Sequence, residues 1–529
     1  MNVSTPVTSE VVSQALEATR AIIGADAVVT DGETCAYHSQ DVFATGPTVA
    51  AVISPTTVDG LAKAIKTLTD AGIAVFPRGG GYSYTDAYLP TGPNGVSLDM
   101  TGLNEITEIN VGDMFVTVQA GCTWEALDNA LAPHGVRAEF WGPLSGFKAT
   151  IGGGMSQGAA SLGSSKDGIS AEAVLGMEIV TADGTVFATG SAAQKGKSPF
   201  FRNYGPDLTG LFCGDAGALG IKATVTLRLQ RRAKLTQGLS FGFDSFEAAQ
   251  KAMAGIAASN RATEVFGFTR RAMEGVVASK GLWEDLKIMF AVGRASGGLL
   301  SGLLQLVKMA IAGRSWARKA ECFVHCAVEA DNRTELKGHI QTIRDAVGGT
   351  GRDIPNTMPA VMRATPFMPY PVVGMDAKRM LPLHTIVPFS KAVAFHTALE
   401  DYFAKRKVEM DAMRMTTPSI FGTLSTNGFL YEPVLYWPDQ PDVFHDRNTP
   451  EELLAPMRKN APNEKGRAFA KEMFEDMVTI MHEHGGVHLQ IGKAYPYLRD
   501  RSDMTVSLVK QVKAHVDPHG LLNPGALGL

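Results

Sequence analysis

The sequence lacks a strong excess of charge of either sign. Its 49 lysines and arginines nearly balance its 53 aspartates and glutamates, so the formal net charge of the 529 residues is −4. No long basic block appears in the chain. Because nucleic-acid binding needs a concentrated positive surface, this composition argues against a nucleic acid as partner.

Cysteine is scarce as well. The chain has five cysteines, and none of them forms a Cys-x-x-Cys pair. An odd number of cysteines in a chain of this length is typical of reduced thiols in a cytosolic protein. Residues 1–12, MNVSTPVTSEVV, have neither the basic nor the apolar region of a secretion signal. We therefore expect a cytoplasmic protein.

A hydrophobic run long enough to cross a bilayer is also missing. The nearest candidate is residues 299–312, LLSGLLQLVKMAIA, which is too short and contains Gln305 and Lys308. Basic residues follow this run up to Lys319. Two interpretations stay open: a helix packed on the second domain, or an amphipathic anchor at 299–319 that contacts a membrane peripherally.

Glycine, in contrast, is abundant, with 56 residues, and three glycine-rich stretches precede residue 225. They are RGGGYS at 78–83, GPLSGFKATIGGGMSQGAA at 142–160 and GDAGALGI at 214–221. Since glycine has no side chain, successive backbone N–H groups can form a concave site for an anion such as a diphosphate. None of the stretches is the Rossmann Gly-x-Gly-x-x-Gly fingerprint or a Walker loop.

The spacing of apolar residues predicts the strands and helices that surround these stretches. Residues 51–77 read as strand, helix and strand, and short strands follow to about residue 120. Thr123 is expected to cap a helix, and residues 182–184 are expected to turn a hairpin. From about residue 235 to 480, strands and helices alternate, and residues 502–516 read as a helix.

Together these features resemble the flavoproteins of the vanillyl-alcohol oxidase / p-cresol methylhydroxylase (PCMH) superfamily, which includes D-lactate and glycolate dehydrogenases. The matching motifs are PRGGGYSYT, VQAGCTWEAL, TIGGG, AVLGMEIVTADG, LFCGDAGALGI and the terminal DPHGLLNPG. The resemblance implies an α+β fold with a two-part PCMH-type FAD-binding domain and an α+β cap (substrate) domain. We place the FAD domain at 1–235, the cap at 236–480 and the returning C-terminal segment at 481–529.

The resemblance also implies FAD as the cofactor. The first glycine run would wrap its diphosphate, the second would line the other side and the isoalloxazine, and the third would lie near the adenine and ribose. The terminal asparagine would lie near the flavin ring. The expected FAD-binding residues are Arg78, Gly79, Gly80, Gly81, Tyr82, Ser83, Pro143, Thr150, Gly153, Gly154, Ser156, Gly158, Gly220, Ile221 and Asn523.

We expect the FAD to be bound non-covalently. Many family members attach it to a histidine after the first glycine run, where this chain has Tyr82. Others use a cysteine before the second run, and LSGFKATIGGG contains none. Because some members attach the ring from the cap, His384, expected on a strand, is the fallback covalent anchor.

The candidate base lies in HEHGGVHLQIGKAYPYLRD, residues 482–500. Histidine suits this role because its pKa lies near the working pH. D-2-hydroxy-acid dehydrogenases carry a Glu-His-Gly stretch here, and two registers compete for it. His484 matches its letters, whereas His488 matches its distance from the terminal Asp-Pro, and we favour His488. With His482 these residues do not share one face, so we expect no metal.

A substrate carboxylate would favour an arginine, whose planar guanidinium pairs with both oxygens. Arg363 and Arg379 in the cap are the candidates. Each is also compatible with an ordinary structural role, so both interpretations stay open.

The expected function is FAD-dependent oxidation of a hydroxyl-bearing carbon, in a 2-hydroxy acid or an alcohol, by hydride transfer to flavin N5. The expected partners are a small-molecule substrate, oxygen or an unknown electron acceptor, and a second copy in a homodimer. One alternative is oxidation of para-substituted phenols, which is weakened because residues 485–488, GGVH, stand where those oxidases carry a Tyr-Arg pair. Another alternative is a flavin-binding protein without turnover.

Overall fold

The computed structural model describes residues 8–278, 319–367 and 377–529, in two compact units. The first unit comprises Met1–Ala159, Ser170–Arg231 and Leu489–Leu529, and the second comprises Ala160–Ile169 and Arg232–His488. The domain boundaries expected after residues 235 and 480 stay predictions, and the contacts divide the chain after Arg231 and His488. No local sequence pattern predicts that residues 160–169 belong to the second unit.

The strands of the first unit precede those of the second along the chain. They are β1 (Val28–Val29), β2 (Ala51–Ile53), β3 (Val75–Arg78), β4 (Val96–Asp99), β5 (Ile106–Asn110), β6 (Phe115–Gln119), β7 (Val136–Ala138), β8 (Val174–Val180), β9 (Val186–Ala188) and β10 (Ile221–Arg231), then β11 (Leu235–Phe243), β12 (Glu264–Thr269), β13 (Cys322–Ala330), β14 (Arg352–Asp353), β15 (Arg379–Pro382), β16 (Thr385–Pro388), β17 (Ser419–Leu424) and β18 (Gly428–Trp437).

The α-helices alternate with these strands in both units. They are α1 (Ser9–Ile23), α2 (Gly32–His38), α3 (Val58–Asp70), α4 (Trp124–Leu131), α5 (Ile151–Gln157), α6 (Ser164–Asp167), α7 (Leu208–Leu211), α8 (Phe246–Ser259), α9 (Arg270–Ala278), α10 (Arg333–Val347), α11 (Thr357–Ala364), α12 (Phe389–Lys405), α13 (Lys407–Ala412), α14 (Val443–Asn448), α15 (Glu451–Met457), α16 (Glu464–Glu483) and α17 (Asp503–Val516).

The first unit contains a four-stranded sheet in the order β1-β2-β4-β3. Both β2 and β3 run parallel to β4, and α3 follows β2 in the chain, which confirms the βαβ unit expected from residue 51. Buried side chains such as Leu16 of α1, Ile65 of α3 and Val75 of β3 form one core. The C-terminal tail runs beside β3, because the N–H of Val75 donates to the carbonyl of Leu521 (2.8 Å).

A second sheet of the first unit has the order β5-β6-β10-β8-β9, and β7 also pairs with β10. Strands β8 and β9 pair antiparallel around a turn in which Gly184 has φ 77°, which confirms the expected hairpin. The hydroxyl of Thr123 accepts a hydrogen bond from Ala126 N (3.1 Å) and caps α4, as expected. Because β10 begins at Ile221, this sheet fixes the end of the third glycine stretch.

The second unit is built on one antiparallel sheet in the order β14-β11-β13-β12-β17-β18-β15, with β16 paired to β18. Aromatic rings of α8 and of the sheet pack edge to face, as Phe246 does against Phe421 (5.4 Å between centroids). Tyr431 of β18 and Phe395 of α12 add to this buried cluster. The mixed helix and sheet architecture agrees with the α+β fold expected from the sequence.

No helix in the described part of the chain is both long and apolar enough to cross a membrane. The segment that we weighed as a membrane anchor, 299–319, lies outside the described residues except for Lys319.

Candidate functional site

The three glycine-rich stretches meet around one cleft in the first unit. The cleft has about 930 Å³ of empty space, including the part open to solvent. Its walls contain most of the residues expected to bind FAD, namely Arg78, Gly79, Gly80, Gly81, Tyr82, Ser83, Pro143, Thr150, Gly153, Gly154, Ser156, Gly220 and Ile221.

Glycine is required where the first two stretches approach each other. A Cβ on Gly79 would lie 2.2 Å from the Thr150 hydroxyl oxygen, and one on Gly80 would lie 2.0 Å from the Lys148 carbonyl oxygen. Gly81 has φ 76°, a conformation that other residues rarely adopt. The loop after β3 can therefore reach the second stretch only as bare backbone.

The first loop offers unused hydrogen-bond donors. The N–H groups of Gly80, Gly81 and Ser83 have no hydrogen-bond partner among the described residues. Most buried backbone donors in proteins are paired, so a row of unused N–H groups in a cleft indicates a site for an acceptor. A diphosphate supplies several anionic oxygens, and this loop fits it.

The second stretch presents the start of α5. The Thr150 hydroxyl accepts a hydrogen bond from Gly153 N (3.2 Å) and caps the helix. A Cβ on Gly152 would lie 2.6 Å from the Ala120 Cβ, so α5 packs directly against the end of β6. Gly158 ends α5 in a left-handed conformation with φ 68°, and it is not among the residues that line the cleft. Its expected contact with FAD stays a prediction.

Arg78 adds a buried positive charge to the cleft wall. Only 3% of the residue is exposed, and its guanidinium lies over the rings of Tyr37 (4.3 Å) and Tyr88 (5.3 Å). Within the described residues it forms no ion pair, and its Nε and Nη2 atoms have no hydrogen-bond partner. A buried cation is unfavourable unless an anion or a ring compensates its charge, so a bound phosphate suits Arg78.

Asn523 does not present its side chain to the cleft. Its Nδ2 donates to the carbonyls of Ala87 (2.7 Å) and Ala216 (2.5 Å), both of which belong to cleft-lining residues. Its Oδ1 accepts from Lys493 Nζ (2.7 Å), which also donates to the carbonyl of Leu89 (2.6 Å). We call Lys493 and Asn523 the tail clamp. The expected contact of Asn523 with the flavin ring stays a prediction.

Lys493 is the residue of this site that the sequence analysis did not select. Burial lowers the pKa of its ammonium to about 7, although the negative charges of Asp86 and Asp41 act in the opposite direction. Its position, 30 residues before Asn523, gives no local pattern that would reveal the contact. The only sequence signal for this contact was the presence of a lysine in the C-terminal segment, residues 481–529.

Tyr82 stands where the family resemblance led us to look for a covalently linked histidine. Its ring packs edge to face against Phe147 (5.4 Å), and burial raises the pKa of its hydroxyl. The described residues that line the cleft include neither a histidine nor a cysteine.

In the second unit, the favoured base His488 is held by a backbone hydrogen bond. Its Nδ1 donates to the carbonyl of His384 (2.8 Å), and the two rings lie perpendicular with centroids 5.9 Å apart. Burial lowers the pKa of His488 to about 4 and that of His384 to about 3. His384 lies between β15 and β16 rather than on a strand, which corrects the expected placement.

Arg379, the candidate partner of a substrate carboxylate, is already paired. Its guanidinium lies 2.5 Å from Asp442, and only 2% of the residue is exposed. Burial raises the pKa of Asp442, but hydrogen bonds from His445 and the charge of Arg379 outweigh it, so the net shift is downward. This pairing favours a structural role for Arg379. Its contact with a substrate stays a prediction.

The other candidate, Arg363, lies between two carboxylates. It bonds to Glu264 (2.9 Å) and also to Glu329. In the described part of the chain, no group of three or more histidine, cysteine, aspartate and glutamate side chains could hold a metal ion. The expectation of no metal is not tested by that observation.

Comparisons with known proteins give a consistent assignment. A family model described as FAD binding domain matches residues 49–190, and one described as FAD linked oxidases, C-terminal domain matches residues 444–527. D-lactate dehydrogenase [cytochrome] 1, mitochondrial, of Saccharomyces cerevisiae is 23% identical over 487 residues, covering 89% of this chain and 71% of that protein. Glycolate oxidase subunit GlcD of Bacillus subtilis is 28% identical over 211 residues, covering 40% of this chain and 43% of that protein.

A solved structure shares the fold. The crystal structure of p-cresol methylhydroxylase with substrate bound superimposes with a TM-score of 0.70 at 15% identity, covering 99% of this chain and 98% of that one. At this identity the likeness establishes the architecture alone.

Proposed function

We propose that this chain is an FAD-linked oxidoreductase of the vanillyl-alcohol oxidase / p-cresol methylhydroxylase superfamily and that it oxidises the hydroxyl-bearing carbon of a small 2-hydroxy acid, which the two family matches and the D-lactate dehydrogenase relative support. FAD, when bound in the glycine-lined cleft, supplies the N5 atom that accepts the hydride. The protein's own task is to bind the substrate, orient its C–H bond and take the hydroxyl proton.

The observation that carries this proposal is the state of His488. Its pKa of about 4 keeps the ring neutral near pH 7, so it can accept a proton. Its Nδ1 proton is committed to the His384 carbonyl, which leaves Nε2 as the basic nitrogen. In the proposed reaction, His488 takes the proton of the substrate hydroxyl while the C–H bond breaks.

The substrate class is supported by the relatives, of which one is a D-lactate dehydrogenase and one a glycolate oxidase subunit. Phenol oxidation is the second candidate, motivated by the shared fold of p-cresol methylhydroxylase. It is less favoured because the chain has GGVH at 485–488, where a phenolate-binding Tyr-Arg pair would be expected.

We propose that the FAD is held without a covalent bond. In support, Tyr82 replaces the expected histidine, and the cleft walls described above contain no histidine or cysteine. His384, the fallback anchor, is buried to 2% exposure in the second unit. Acid precipitation of the purified protein tests this, because non-covalent FAD stays in the supernatant and covalent FAD stays with the pellet.

The proposed function is tested by spectroscopy on the purified protein. We expect flavin absorbance after reconstitution with FAD, and bleaching when D-lactate or glycolate is mixed in without oxygen. Vanillyl alcohol and an alditol serve as comparison substrates. Bleaching by vanillyl alcohol alone would establish the phenol reaction instead. A flavin that none of these compounds reduces would favour a binding protein without turnover.

Reoxidation of the reduced flavin shows whether oxygen or another compound is the electron acceptor. Exposure to air reoxidises the flavin within seconds if the protein is an oxidase, whereas slow reoxidation in air and fast reoxidation by an artificial dye indicate a dehydrogenase. We propose the dehydrogenase, since the S. cerevisiae relative is named for a cytochrome acceptor.

A further inference from the structure

A loop of the first unit displays apolar side chains to solvent. Five large ones are about half exposed within twelve residues of sequence: Phe200 (57%), Phe201 (50%), Tyr204 (59%), Leu208 (46%) and Leu211 (41%). We call these five residues the aromatic patch. Soluble surfaces normally carry such side chains singly, and a contiguous group marks an interaction site.

The loop is fixed by buried polar contacts. The hydroxyl of Ser191, which is 8% exposed, donates to the carbonyl of Ser198 (2.6 Å) and accepts from the N–H of Phe201 (3.1 Å). Ser191 N donates in turn to the carbonyl of Phe201 (2.8 Å). These bonds hold the backbone on both sides of Phe200 and leave its ring outside, so the exposure is part of the folded structure.

A second set of polar contacts fixes the C-terminal part of the aromatic patch. The guanidinium of Arg202 pairs with Asp207 (2.8 Å) and also bonds to the carbonyl of Ala171. Asp207 caps α7 by accepting from Gly210 N (2.9 Å), which fixes the helix that carries Leu208 and Leu211. The charge of Arg202 is therefore neutralised within the loop.

Two other cations lie in the same loop, next in the chain to a residue that contacts Tyr204. Gln194 Nε2 donates to the Tyr204 hydroxyl (2.8 Å), and the exposed Lys195 and Lys197 follow Gln194 in the chain. The N–H of Lys197 donates to the carbonyl of Gln194 (3.0 Å), which keeps this turn compact. Among the described residues neither lysine forms an ion pair. The patch thus joins exposed aromatic rings to unpaired positive charge.

We propose that the aromatic patch docks the protein on an anionic lipid bilayer. Phenylalanine, tyrosine and leucine side chains enter the headgroup and acyl boundary favourably, and nearby lysines attract anionic headgroups. Aromatic residues are also enriched at protein–protein interfaces, but lysine is depleted there, so the two exposed lysines favour the bilayer over a protein partner. The surface is independent of the substrate, so it does not depend on the proposed reaction.

Vesicle sedimentation with the full-length, FAD-loaded protein tests this inference. We expect binding to vesicles of phosphatidylcholine with 30% phosphatidylglycerol, at least tenfold weaker binding to pure phosphatidylcholine, and loss of binding as salt is raised. The double variant Phe200→Ser, Phe201→Ser should bind at least tenfold more weakly. Val408→Ser is the matched control, because Val408 is 80% exposed in the second unit.

A second double variant changes only surface charge, so it tests the inference without altering the apolar side chains. Lys195→Glu with Lys197→Glu should also abolish binding to the anionic vesicles, with flavin absorbance and melting temperature unchanged. The inference is overturned if the wild-type protein fails to bind anionic vesicles, binds neutral ones equally, or binds undiminished after the phenylalanine substitutions. Self-association that the phenylalanine substitutions abolish, without vesicle binding, would make the patch an interface between copies.

Discussion

At the residue scale, the chemistry of His488 follows from a single backbone contact. A histidine that donates Nδ1–H to a carbonyl has a fixed tautomer and a fixed ring orientation. Burial then removes the stabilisation that water gives to the charged ring and lowers its pKa to about 4, while the hydrogen bond to His384 acts in the opposite direction. Over the neutral pH range His488 is therefore in its neutral form and can accept a proton, although burial makes it a weaker base than a histidine with its ordinary pKa.

We predict that His488→Gln lowers kcat by roughly 10²- to 10⁴-fold and changes KM little, because glutamine can keep the contact with the His384 carbonyl but cannot take a proton. The wild-type rate should be flat near neutral pH and fall as the pH approaches about 4, and the variant should lose this acid limb. The measurement is steady-state turnover of the acid that bleaches the flavin best.

His484→Gln is the control for that experiment, since His484 is the other register of the Glu-His-Gly comparison. Its Nδ1 is engaged by the carbonyl of Ile480 (2.9 Å) in the last turn of α16. We expect this variant to retain most of the activity. If His484→Gln lost activity and His488→Gln retained it, His484 would be the base. The choice of His488 by its distance from the terminal Asp-Pro would then be wrong.

At the element scale, the cleft depends on a segment that is distant in sequence from its walls. The tail clamp joins Asn523 to the carbonyl of Ala87, 436 residues earlier, and to that of Ala216, 307 residues earlier. These carbonyls belong to two different loops of the cleft. The clamp therefore sets the spacing between the loops, and Lys493 supports the amide that holds both.

We predict that Lys493→Met weakens FAD binding about tenfold and lowers the melting temperature. The change leaves the carbonyl of Leu89 and the Oδ1 of Asn523 without their buried donor, at about 1–3 kcal/mol for each unsatisfied group. Quenching of FAD fluorescence measures the Kd. The control Lys63→Met removes only an exposed ion pair with Asp59 and should change stability by less than about 1 kcal/mol.

A lower melting temperature of Lys493→Met together with an unchanged FAD Kd would contradict the proposed action on the cleft. The clamp would then stabilise the tail without setting the loop spacing.

The same elements explain how far the sequence could predict the site. Glycine runs, helix caps and turns are local signals, so the βαβ unit, the Thr123 cap and the hairpin at Gly184 could be read directly. The convergence of the three glycine stretches came from a family resemblance. The side-chain contacts of Asn523 and the pairing of Arg379 with Asp442 depend on tertiary distances, which no local pattern encodes.

At the scale of the whole molecule, acid sensitivity is concentrated in the second unit. Burial is the first cause that lowers the pKa of five histidines there: His325 and His384 to about 3, His396 and His488 to about 4, and also His339. His325 is fully buried between two strands, with its Nδ1 2.8 Å from the Ser240 hydroxyl. Each of these rings folds in its neutral form.

We therefore predict that the second unit loses stability as the pH falls from about 6.5 towards 4. An unfolded histidine titrates near 6.5, so in this range the unfolded chain binds more protons than the folded one, and folding weakens by up to about 1.4 kcal/mol per pH unit for each ring. Thermal unfolding between pH 7.5 and 5 measures the slope. His325→Gln removes one titrating ring and should make the slope of stability against pH shallower, whatever the variant does to stability at pH 7.5. The control is His134→Gln, because His134 is exposed and its substitution should leave the slope unchanged. A slope that His325→Gln does not alter would mean that this ring is already protonated in the folded protein, and that its burial on β13, between β11 and β12, does not exclude the charge.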